Sequence, residues 1–336
     1  MSARRIAVLH SEDRELASGD RKDALAVQAA IDGALAAATS LRSRGYEVSV
    51  HGVPRDARAI ASLLARLSGD LVLNFVESLG GDARLEAAFA WALELFGLAY
   101  TGSPPRAMQL ATEKPLARAL LAARGVPVPR GAVFATGDEP LGELCFPLLA
   151  KPAREDASHG IDQGSVVRDE RALRTRAKEL IARYAQPALI EEYIEAREIN
   201  VALLAGPSGL EVLPLSEIDY SLFRPDEARI VTYAGKWIEG SRDWDITRVI
   251  PARDLSASQR ARLESVARAA FEVMGLRDYG RVDLRLDARD EPYVIDVNPN
   301  PDLSPGTGFA LAAERAGLDH AALLARVIEA ARARLS

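Results

Sequence analysis

The first hundred residues alternate short apolar runs with longer segments of helical spacing. The apolar runs predict strands at residues 4–10, 46–51 and 70–75. An apolar residue every three or four positions predicts helices at residues 23–43, 56–67 and 84–96. Strands that alternate with helices are typical of parallel sheets, so we expect a parallel α/β unit up to about residue 102.

The rest of the chain has the pattern of a mixed α+β protein. A polar, helical connection at 103–125 leads into short β-branched runs, proline-rich loops and a charged helix at 169–184. Further helices are predicted at about 256–274, 309–316 and 319–334. The expected domains are residues 1–103, 104–205 and 206–336.

Composition and charge narrow the class of protein. The net charge of −6 argues against non-specific nucleic-acid binding, because such proteins carry a basic surface. Cys145 is the single cysteine, which excludes an internal disulfide and indicates a reducing compartment. No apolar run approaches the ~20 residues of a membrane span, and the run after Arg5 is too short for a signal peptide. We therefore expect a cytoplasmic protein with neither membrane nor nucleic-acid partners.

Lysine is rare in this arginine-rich chain, which contains 42 Lys and Arg together. The five lysines are Lys22, Lys114, Lys151, Lys178 and Lys236. A GC-rich genome favours arginine, so each remaining lysine is a candidate for a position that requires a compact ammonium group. The alternative, a lysine at the protein surface, stays open for each of them.

Two strands predicted near the carboxyl end, residues 280–286 and 292–297, flank a polar turn at 287–291. A short polar turn between two apolar runs predicts a hairpin. The second strand runs into Asn298-Pro-Asn-Pro301, an unusual strand end that indicates a functional loop.

The polar side chains of this hairpin form a set with a definite chemistry. Alternate residues of a strand share a face, so Arg281 and Asp283 form one pair, and Asp296 and Asn298 form the other. Carboxylate and amide oxygens are ligands that Mg²⁺ accepts together with phosphate oxygens. A guanidinium group adds a fork for phosphate or for a developing oxyanion. The alternative is a hairpin that presents ordinary charges to solvent.

The hairpin and the following Asp302-Leu-Ser-Pro-Gly-Thr-Gly-Phe309 resemble the C-terminal signature of D-alanine–D-alanine ligases, which are ATP-grasp enzymes. Earlier segments are similar to other motifs of that family: Gly80-Gly-Asp82, Tyr100-Thr-Gly-Ser103, Thr112-Glu-Lys114, Leu149-Ala-Lys-Pro152 and Ile190-Glu-Glu-Tyr-Ile194. The resemblance covers about residues 70–335. It implies an ATP-grasp fold with an N-terminal parallel α/β substrate domain, a central α+β subdomain and a C-terminal antiparallel-sheet subdomain.

The resemblance also implies a role for individual residues. Magnesium would be bound by Asp283, Asp296 and Asn298. The nucleotide would be bound by Lys114, Lys151, Glu191, Glu192, Ile194 and Glu198. The catalytic residues would be Arg281, which steadies the acyl-phosphate, and Lys236, which reaches the phosphates from a mobile segment. Thr307 or Ser304 would hold a substrate carboxylate. Glu77 and Asp302 are further candidates for contact with the substrate, at positions where this chain differs from the family. The implied cofactors are ATP and two magnesium ions, with manganese as an alternative metal, and the implied assembly is a homodimer.

The chain departs from the family mainly where the first substrate binds. The usual Glu-x-x-Ser after the first strand is replaced by a segment that offers Glu12 and Glu15 in another spacing. Asn74-Phe-Val-Glu-Ser78 stands where a His-Gly pair is usual, and Asp302 stands where the family has glycine. Asp296 replaces a usual glutamate. The nucleotide half is therefore expected to be intact and the first-substrate half altered.

The expected function is an ATP-dependent carboxylate–amine ligase that acts on small amino-acid or amine substrates through an acyl-phosphate. The alternatives are a ligase that forms a different dipeptide or amine conjugate, a kinase that stops after phosphoryl transfer, and a non-catalytic nucleotide-binding module.

Overall fold

The computed structural model describes residues 5–12 and 25–335 of the chain. Its first sheet contains strands β1 (Arg5–Ser11), β2 (Glu47–Val53) and β3 (Leu71–Phe75). They are parallel and lie in the order β2-β1-β3. Helices α1 (Leu25–Ser43), α2 (Ala57–Leu64) and α3 (Glu86–Leu95) cover this sheet. The predicted parallel α/β unit is confirmed.

Strand β1 is buried on both faces of the sheet. Ile6 and Val8 are buried in the core that contains α1, whereas Ala7 and Leu9 are buried in the core that contains α2 and α3. Successive side chains of a strand point to opposite faces, so an apolar run without alternation predicts a strand buried on both sides.

The connection at 103–125 consists of two helices, α4 (Pro105–Thr112) and α5 (Lys114–Ala123). Pro115 lies in the first turn of α5, where its missing N–H is tolerated, and it prevents α4 from continuing. Ala107 and Ala111 of α4 and Ala117 and Leu121 of α5 pack in the core of the C-terminal sheet, whereas Met108 of α4 packs in the core of the N-terminal sheet.

The central sheet has four antiparallel strands, in the order β4-β7-β5-β6. They are β4 (Gly131–Phe134), β5 (Leu148–Pro152), β6 (Val166–Val167) and β7 (Ala188–Glu192). Helix α6 (Glu170–Tyr184) covers one face, and its buried side chains share a core with these strands.

The third sheet is antiparallel and has six strands, five of them in the order β11-β10-β8-β12-β13 while β9 pairs with β8. The strands are β8 (Arg197–Gly206), β9 (Gly209–Val212), β10 (Ser216–Asp219), β11 (Arg248–Pro251), β12 (Tyr279–Leu286) and β13 (Pro292–Asn298). The helices of this part are α7 (Tyr233–Trp237), α8 (Arg242–Ile246), α9 (Ala257–Met274), α10 (Gly308–Arg315) and α11 (His320–Leu335).

The position of β8 corrects the grouping expected from the sequence. Residues 197–205 were assigned to the central unit, but β8 pairs with β12 along its length and belongs to the C-terminal sheet. Val201 and Leu203 face the core that contains α9, and Ala202 and Leu204 face the core that contains α11. A boundary before Arg197 therefore suits the sheets better than one at residue 205, and we propose it as the division of the chain.

The carboxyl-terminal helices pack onto the N-terminal sheet. Leu324 and Ile328 of α11 share one core with Ala37 and Leu41 of α1. A buried carboxylate strengthens the junction, because Asp278 accepts hydrogen bonds from the Gly102 backbone N–H at 2.9 Å and from Arg334 at 3.1 and 3.2 Å. Within the described ranges, no helix combines the length and apolar character that crossing a membrane requires.

Candidate active site

A cleft of about 1250 Å³ runs between the three sheets. The residues that the sequence assigned to metal, nucleotide, catalysis and substrate all line it: Glu77, Lys114, Lys151, Glu191, Glu192, Ile194, Glu198, Lys236, Arg281, Asp283, Asp296, Asn298, Asp302, Ser304 and Thr307. Two glutamates stand near the position of the family's usual Glu-x-x-Ser. Glu12 is exposed and does not line the cleft, and Glu15 lies outside the described residues.

The hairpin of β12 and β13 brings the predicted metal residues together. Asp283 lies opposite Asp296 in the ladder, and Arg281 lies opposite Asn298. The register shifts directly after Asp283, so the strands are irregular at the point where these side chains meet. The hairpin predicted from the sequence is confirmed.

Asp283 is held by donors on three sides. Arg281 donates from Nε and Nη2 to its two carboxylate oxygens, at 2.7 and 2.8 Å. Asn298 donates to Oδ2 at 3.2 Å, and Asn200, opposite Asp283 on β8, donates to Oδ1 at 2.8 Å. The sequence analysis missed Asn200, although its rarity as one of four asparagines in the chain was a usable signal.

The chemistry of these donors fits magnesium bound together with a nucleotide. Two carboxylates and an amide oxygen are hard ligands, and Mg²⁺ at phosphate sites takes only one or two carboxylates from the protein. Across the residues that the structure describes, no group of three or more His, Cys, Asp or Glu side chains is placed to hold a metal. A cation here would therefore need oxygens from a phosphate to complete its shell.

The two lysines from the central part of the chain face the acids of the cleft. Lys114 Nζ lies 2.7 Å from Asp156 Oδ1 and 3.2 Å from Asp296 Oδ1. Burial by itself lowers the pKa of Lys114, but the two carboxylates outweigh burial and hold the pKa above its usual value. Lys151 is 6% exposed, and its Nζ lies 2.7 Å from Glu191 Oε2. The cleft therefore keeps fixed ammonium groups where anionic phosphates would enter.

The end of β7 forms one wall of the cleft. Glu192 there accepts two hydrogen bonds from Arg130, at 2.7 and 3.1 Å, which orients its carboxylate towards the surface. Beyond it, Ile194 precedes Glu198, which is 7% exposed at the start of β8. Arg285 and Tyr220 both bind Glu198, and the sequence analysis missed both of these partners.

The opposite wall carries Glu77, Lys236 and Asp302. Burial, with the Asp302 carboxylate nearby, raises the pKa of Glu77 to about 8, and Lys236 opposes this shift. Burial and the Arg281 guanidinium lower the pKa of Lys236. The segment that carries Lys236 is tied to the other side of the cleft, because Trp237 donates a hydrogen bond to the Ala157 carbonyl at 2.9 Å.

The loop before α10 closes the substrate end of the cleft. Thr307 donates its hydroxyl hydrogen within the loop, with the Asp302 and Ser304 carbonyls both at 2.8 Å. Ser304 Oγ is buried and has no hydrogen-bond partner in the described part of the chain. A Cβ atom at Gly33 of α1 would lie 2.1 Å from that oxygen. The loop can therefore approach α1 this closely only because residue 33 is glycine.

Glu86 is another buried acid in this region, and the sequence analysis did not predict it. Glu86 is 8% exposed and accepts a hydrogen bond from Asn300 Nδ2 at 3.1 Å. Tyr279 in turn donates to Asn300 Oδ1 at 2.7 Å. This pair of hydrogen bonds fixes the amide of Asn300, and with it the Asn-Pro-Asn-Pro loop, between the first and third sheets.

Comparison with known proteins agrees with this geometry. The model of a family described as D-ala D-ala ligase C-terminus matches residues 124–329. An uncharacterized protein of Sinorhizobium fredii, y4sG, is 35% identical over 271 residues, which are 81% of this chain and 77% of that protein. The D-alanine–D-alanine ligase of Desulforudis audaxviator is 30% identical over 304 residues, 89% of this chain and 92% of that enzyme.

The fold is also found among solved structures. The crystal structure of D-alanine–D-alanine ligase from Bacillus anthracis complexed with ATP covers 99% of each chain with a TM-score of 0.77 and 21% sequence identity. That of the ligase from Coxiella burnetii covers 99% of this chain and 95% of that chain with a TM-score of 0.74. These likenesses show that the chain has the ATP-grasp fold.

Proposed function

Because the chain belongs to the D-alanine–D-alanine ligase family of ATP-grasp proteins, we propose that it uses ATP to join a carboxylate to an amine through an acyl-phosphate. The observation that carries this proposal is the meeting of Arg281, Asp283 and Asp296 with Lys114 and Lys151 in one cleft. Phosphoryl transfer needs positioned positive charge around the phosphates, and Lys114, Lys151 and Arg281 supply it from three chain segments.

In the proposed first step, an oxygen of the substrate carboxylate attacks the γ-phosphorus of ATP. The bond from that phosphorus to the bridging oxygen breaks, which yields ADP and an acyl-phosphate. Lys114, Lys151 and Lys236 would neutralise the phosphate oxygens, and Asp283, Asp296 and Asn298 would hold magnesium. When bound, magnesium withdraws charge from phosphate oxygens.

In the second step, the amine nitrogen attacks the carbonyl carbon of the acyl-phosphate and loses a proton to solvent water. The carbon–oxygen bond to phosphate then breaks, so that inorganic phosphate leaves and an amide remains. Arg281 is fixed by Asp283 in a two-point contact, so its guanidinium can stabilise the oxyanion without reorganising. No covalent enzyme nucleophile is required, because orientation and electrostatics supply the rate.

The substrate end of the cleft favours a second candidate, a ligase whose amide is not D-alanyl-D-alanine. Glu77 lies in the cleft within the segment that replaces the family's usual His-Gly pair, and Glu86 lies beside Asn300 in the same wall. The replacement of that His-Gly pair favours a first substrate that differs from D-alanine. A ligase that forms another dipeptide or an amine conjugate is therefore the second candidate, and both candidates share the nucleotide chemistry.

The proposal is tested by measuring ADP release with D- and L-amino acids, singly and in pairs with amines, followed by the mass of the product. We expect ADP release that depends on both substrates, together with a product whose mass equals their sum less one water. A phosphorylated product without an amide would identify a kinase. ATP binding without turnover for any pair would identify a nucleotide-binding module.

Replacing Glu77 with glutamine is expected to change how stability depends on pH. In the folded protein its pKa is about 8, against an ordinary value of 4.5, so between these values the unfolded chain has lost a proton that the folded chain keeps. The wild-type free energy of unfolding therefore falls as pH rises through this window, and the Glu77→Gln variant lacks that fall. Relative to wild type, the variant should gain up to about 1.4 kcal/mol per pH unit between pH 5 and 8.

Urea unfolding of both proteins at pH 5, 6.5 and 8 measures this difference. Glu211→Gln, which removes a carboxylate from β9 outside the cleft, is the matched control. A stability difference between Glu77→Gln and wild type that stays constant with pH would show that Glu77 does not keep its proton in the folded protein.

A further inference from the structure

The substrate end of the cleft carries three acidic side chains from distant parts of the chain. Glu77 follows β3, Glu86 begins α3 and Asp302 follows β13, and all three line the cleft. We call these three residues the acidic wall. None of them takes part in an ion pair within the part of the chain that the structure describes. A carboxylate that is shielded from water without a cation is unfavourable, so the acidic wall calls for a partner from outside the chain.

The carboxylates of the acidic wall lie close enough to influence one another. Burial raises the pKa of Glu77 to about 8; Asp302 and Asp156 add to this shift, and Lys236 opposes it. Burial also raises the pKa of Glu86, and the Glu77 carboxylate contributes to that shift. In the empty cleft, Glu77 therefore keeps a proton at neutral pH, because the charge of Lys236 does not offset burial and the neighbouring acids.

The cations of this region are bound to other partners or assigned to the nucleotide. Arg281 uses Nε and Nη2 to hold both oxygens of Asp283, at 2.7 and 2.8 Å. Lys114 Nζ lies 2.7 Å from Asp156 Oδ1. Lys236 faces the acidic wall, but the proposed chemistry directs its ammonium group to the phosphates of ATP. The acidic wall is therefore left for a cation that the substrate brings.

A second, independent observation at the same end of the cleft indicates a missing polar ligand. Ser304 Oγ is buried and has no hydrogen-bond partner in the described ranges, although buried polar atoms normally have one. It lies beside the acidic wall, since a Cβ atom at Gly33 would be 2.1 Å from Ser304 Oγ and 3.8 Å from Asp302 Oδ1. An ammonium group has three donors, so it can satisfy a hydroxyl oxygen and two carboxylates together.

The amine substrate matches the acidic wall better than the acyl donor does. The acyl donor brings a carboxylate and becomes an acyl-phosphate, and both are anions that neighbouring carboxylates repel. The reacting amine must lose its positive charge before it attacks, because an ammonium group has no free electron pair. A cation that stays on the acidic wall throughout the reaction therefore belongs to a second basic group of the amine substrate.

We propose that the amine substrate is a diamine or a diamino acid, whose second, non-reacting ammonium group binds to Glu77 and Asp302. This inference rests on the proposed ligase function and names the class of its amine substrate. One nitrogen of that substrate forms the amide bond and loses its proton to solvent water, as in the second step above. The other nitrogen keeps its charge and fixes the orientation of the substrate.

The first experiment compares matched amines in the ADP-release assay, with the amino acids of the screen as acyl donors. The pairs are 1,4-diaminobutane with 1-aminobutane, and ornithine with norvaline, whose members differ by one amino group. In wild type we expect kcat/KM to be about ten- to hundredfold higher for the member with two amino groups, the worth of a hydrogen bond between charged groups. Glu77→Gln should reduce this ratio by about tenfold while the KM of ATP changes little.

Glu211→Gln is the matched control, because it removes a carboxylate outside the cleft and should keep the wild-type ratio. Asp302→Asn keeps the inference testable if Glu77→Gln does not fold, and we expect it to reduce the ratio in the same way. A merely structural role for the two acids would lower kcat/KM equally for both members of a pair. An unchanged ratio in both folded variants would overturn the inference.

The second experiment measures binding without turnover. The full chain with magnesium and ADP is titrated calorimetrically with 1,4-diaminobutane at pH 7, in two buffers that differ in ionisation enthalpy. We expect the diamine to bind with release of a proton, because its cation replaces the proton that Glu77 keeps in the empty cleft, and Glu77→Gln should lack this release. Equal affinity for 1-aminobutane, or binding to wild type without proton release, would overturn the inference.

The two experiments separate the inference from the proposed function. Diamine binding with proton release, but no ADP release with any acyl donor, would support the role of the acidic wall and overturn the proposed ligase function. Amide formation at equal kcat/KM from both members of each pair would support the ligase function and overturn the inference alone.

Discussion

Replacing Asp283 with asparagine is expected to lower amine-dependent ADP release by about two to three orders of magnitude. The substitution keeps the shape of the side chain but removes the charge that orients the Arg281 guanidinium at 2.7 and 2.8 Å. It also removes one of the two carboxylates assigned to magnesium. A steady-state assay that couples ADP release to a second enzyme measures the loss, and urea unfolding checks that the variant is folded.

Glu211→Gln provides the comparison for Asp283→Asn. Glu211 is a carboxylate on the same sheet, paired with Arg326 at 3.0 Å outside the cleft, so its removal should leave the turnover unchanged. Unchanged ADP release in a folded Asp283→Asn variant would show that the hairpin does not hold the metal, and the assignment of Asp296 and Asn298 would fail with it.

Replacing Arg281 with lysine should reduce kcat by about 10²- to 10³-fold while the dissociation constant of ATP changes little. Lysine keeps the positive charge but not the planar fork, and one ammonium group cannot hold both Asp283 oxygens and an oxyanion in fixed geometry. Single-turnover measurement of amide formation, together with titration of ATP, separates the two quantities.

Arg326→Lys is the control for Arg281→Lys, because it makes the same change in an ion pair outside the cleft. An Arg281→Lys variant with wild-type kcat and weaker ATP affinity would mean that Arg281 serves nucleotide binding rather than the reacting carbonyl.

Local patterns sufficed for the elements whose partners are close in sequence. The hairpin of β12 and β13 could be predicted because its two strands are separated only by the five-residue polar turn 287–291. The helices of the N-terminal unit followed from apolar spacing, since each buries one face on a sheet. The break between α4 and α5 was missed, although Pro115 marks it.

Contacts between distant segments could not be predicted in the same way. Asn200 and Asp283 are 83 residues apart, and Glu198 and Arg285 are 87 apart. Only the pairing of β8 with β12 brings these side chains together, and no local pattern states which strands will be neighbours. The same limit explains why the domain boundary expected from the sequence lies at residue 205 and not before β8. The acids, amides and lysines of the cleft could be recognised from their residue types and motifs. The residues that orient them could not, because they are distant in sequence.

The packing of α11 against α1 has a consequence for protein engineering. Since Leu324 and Ile328 complete the core beneath β1, we expect that the amino-terminal third does not fold on its own. A chimera that exchanges it for the corresponding region of a relative would have to carry the last two helices from the same parent. Grafts that ignore this rule should yield insoluble protein, whereas grafts that transfer both ends together keep this core intact.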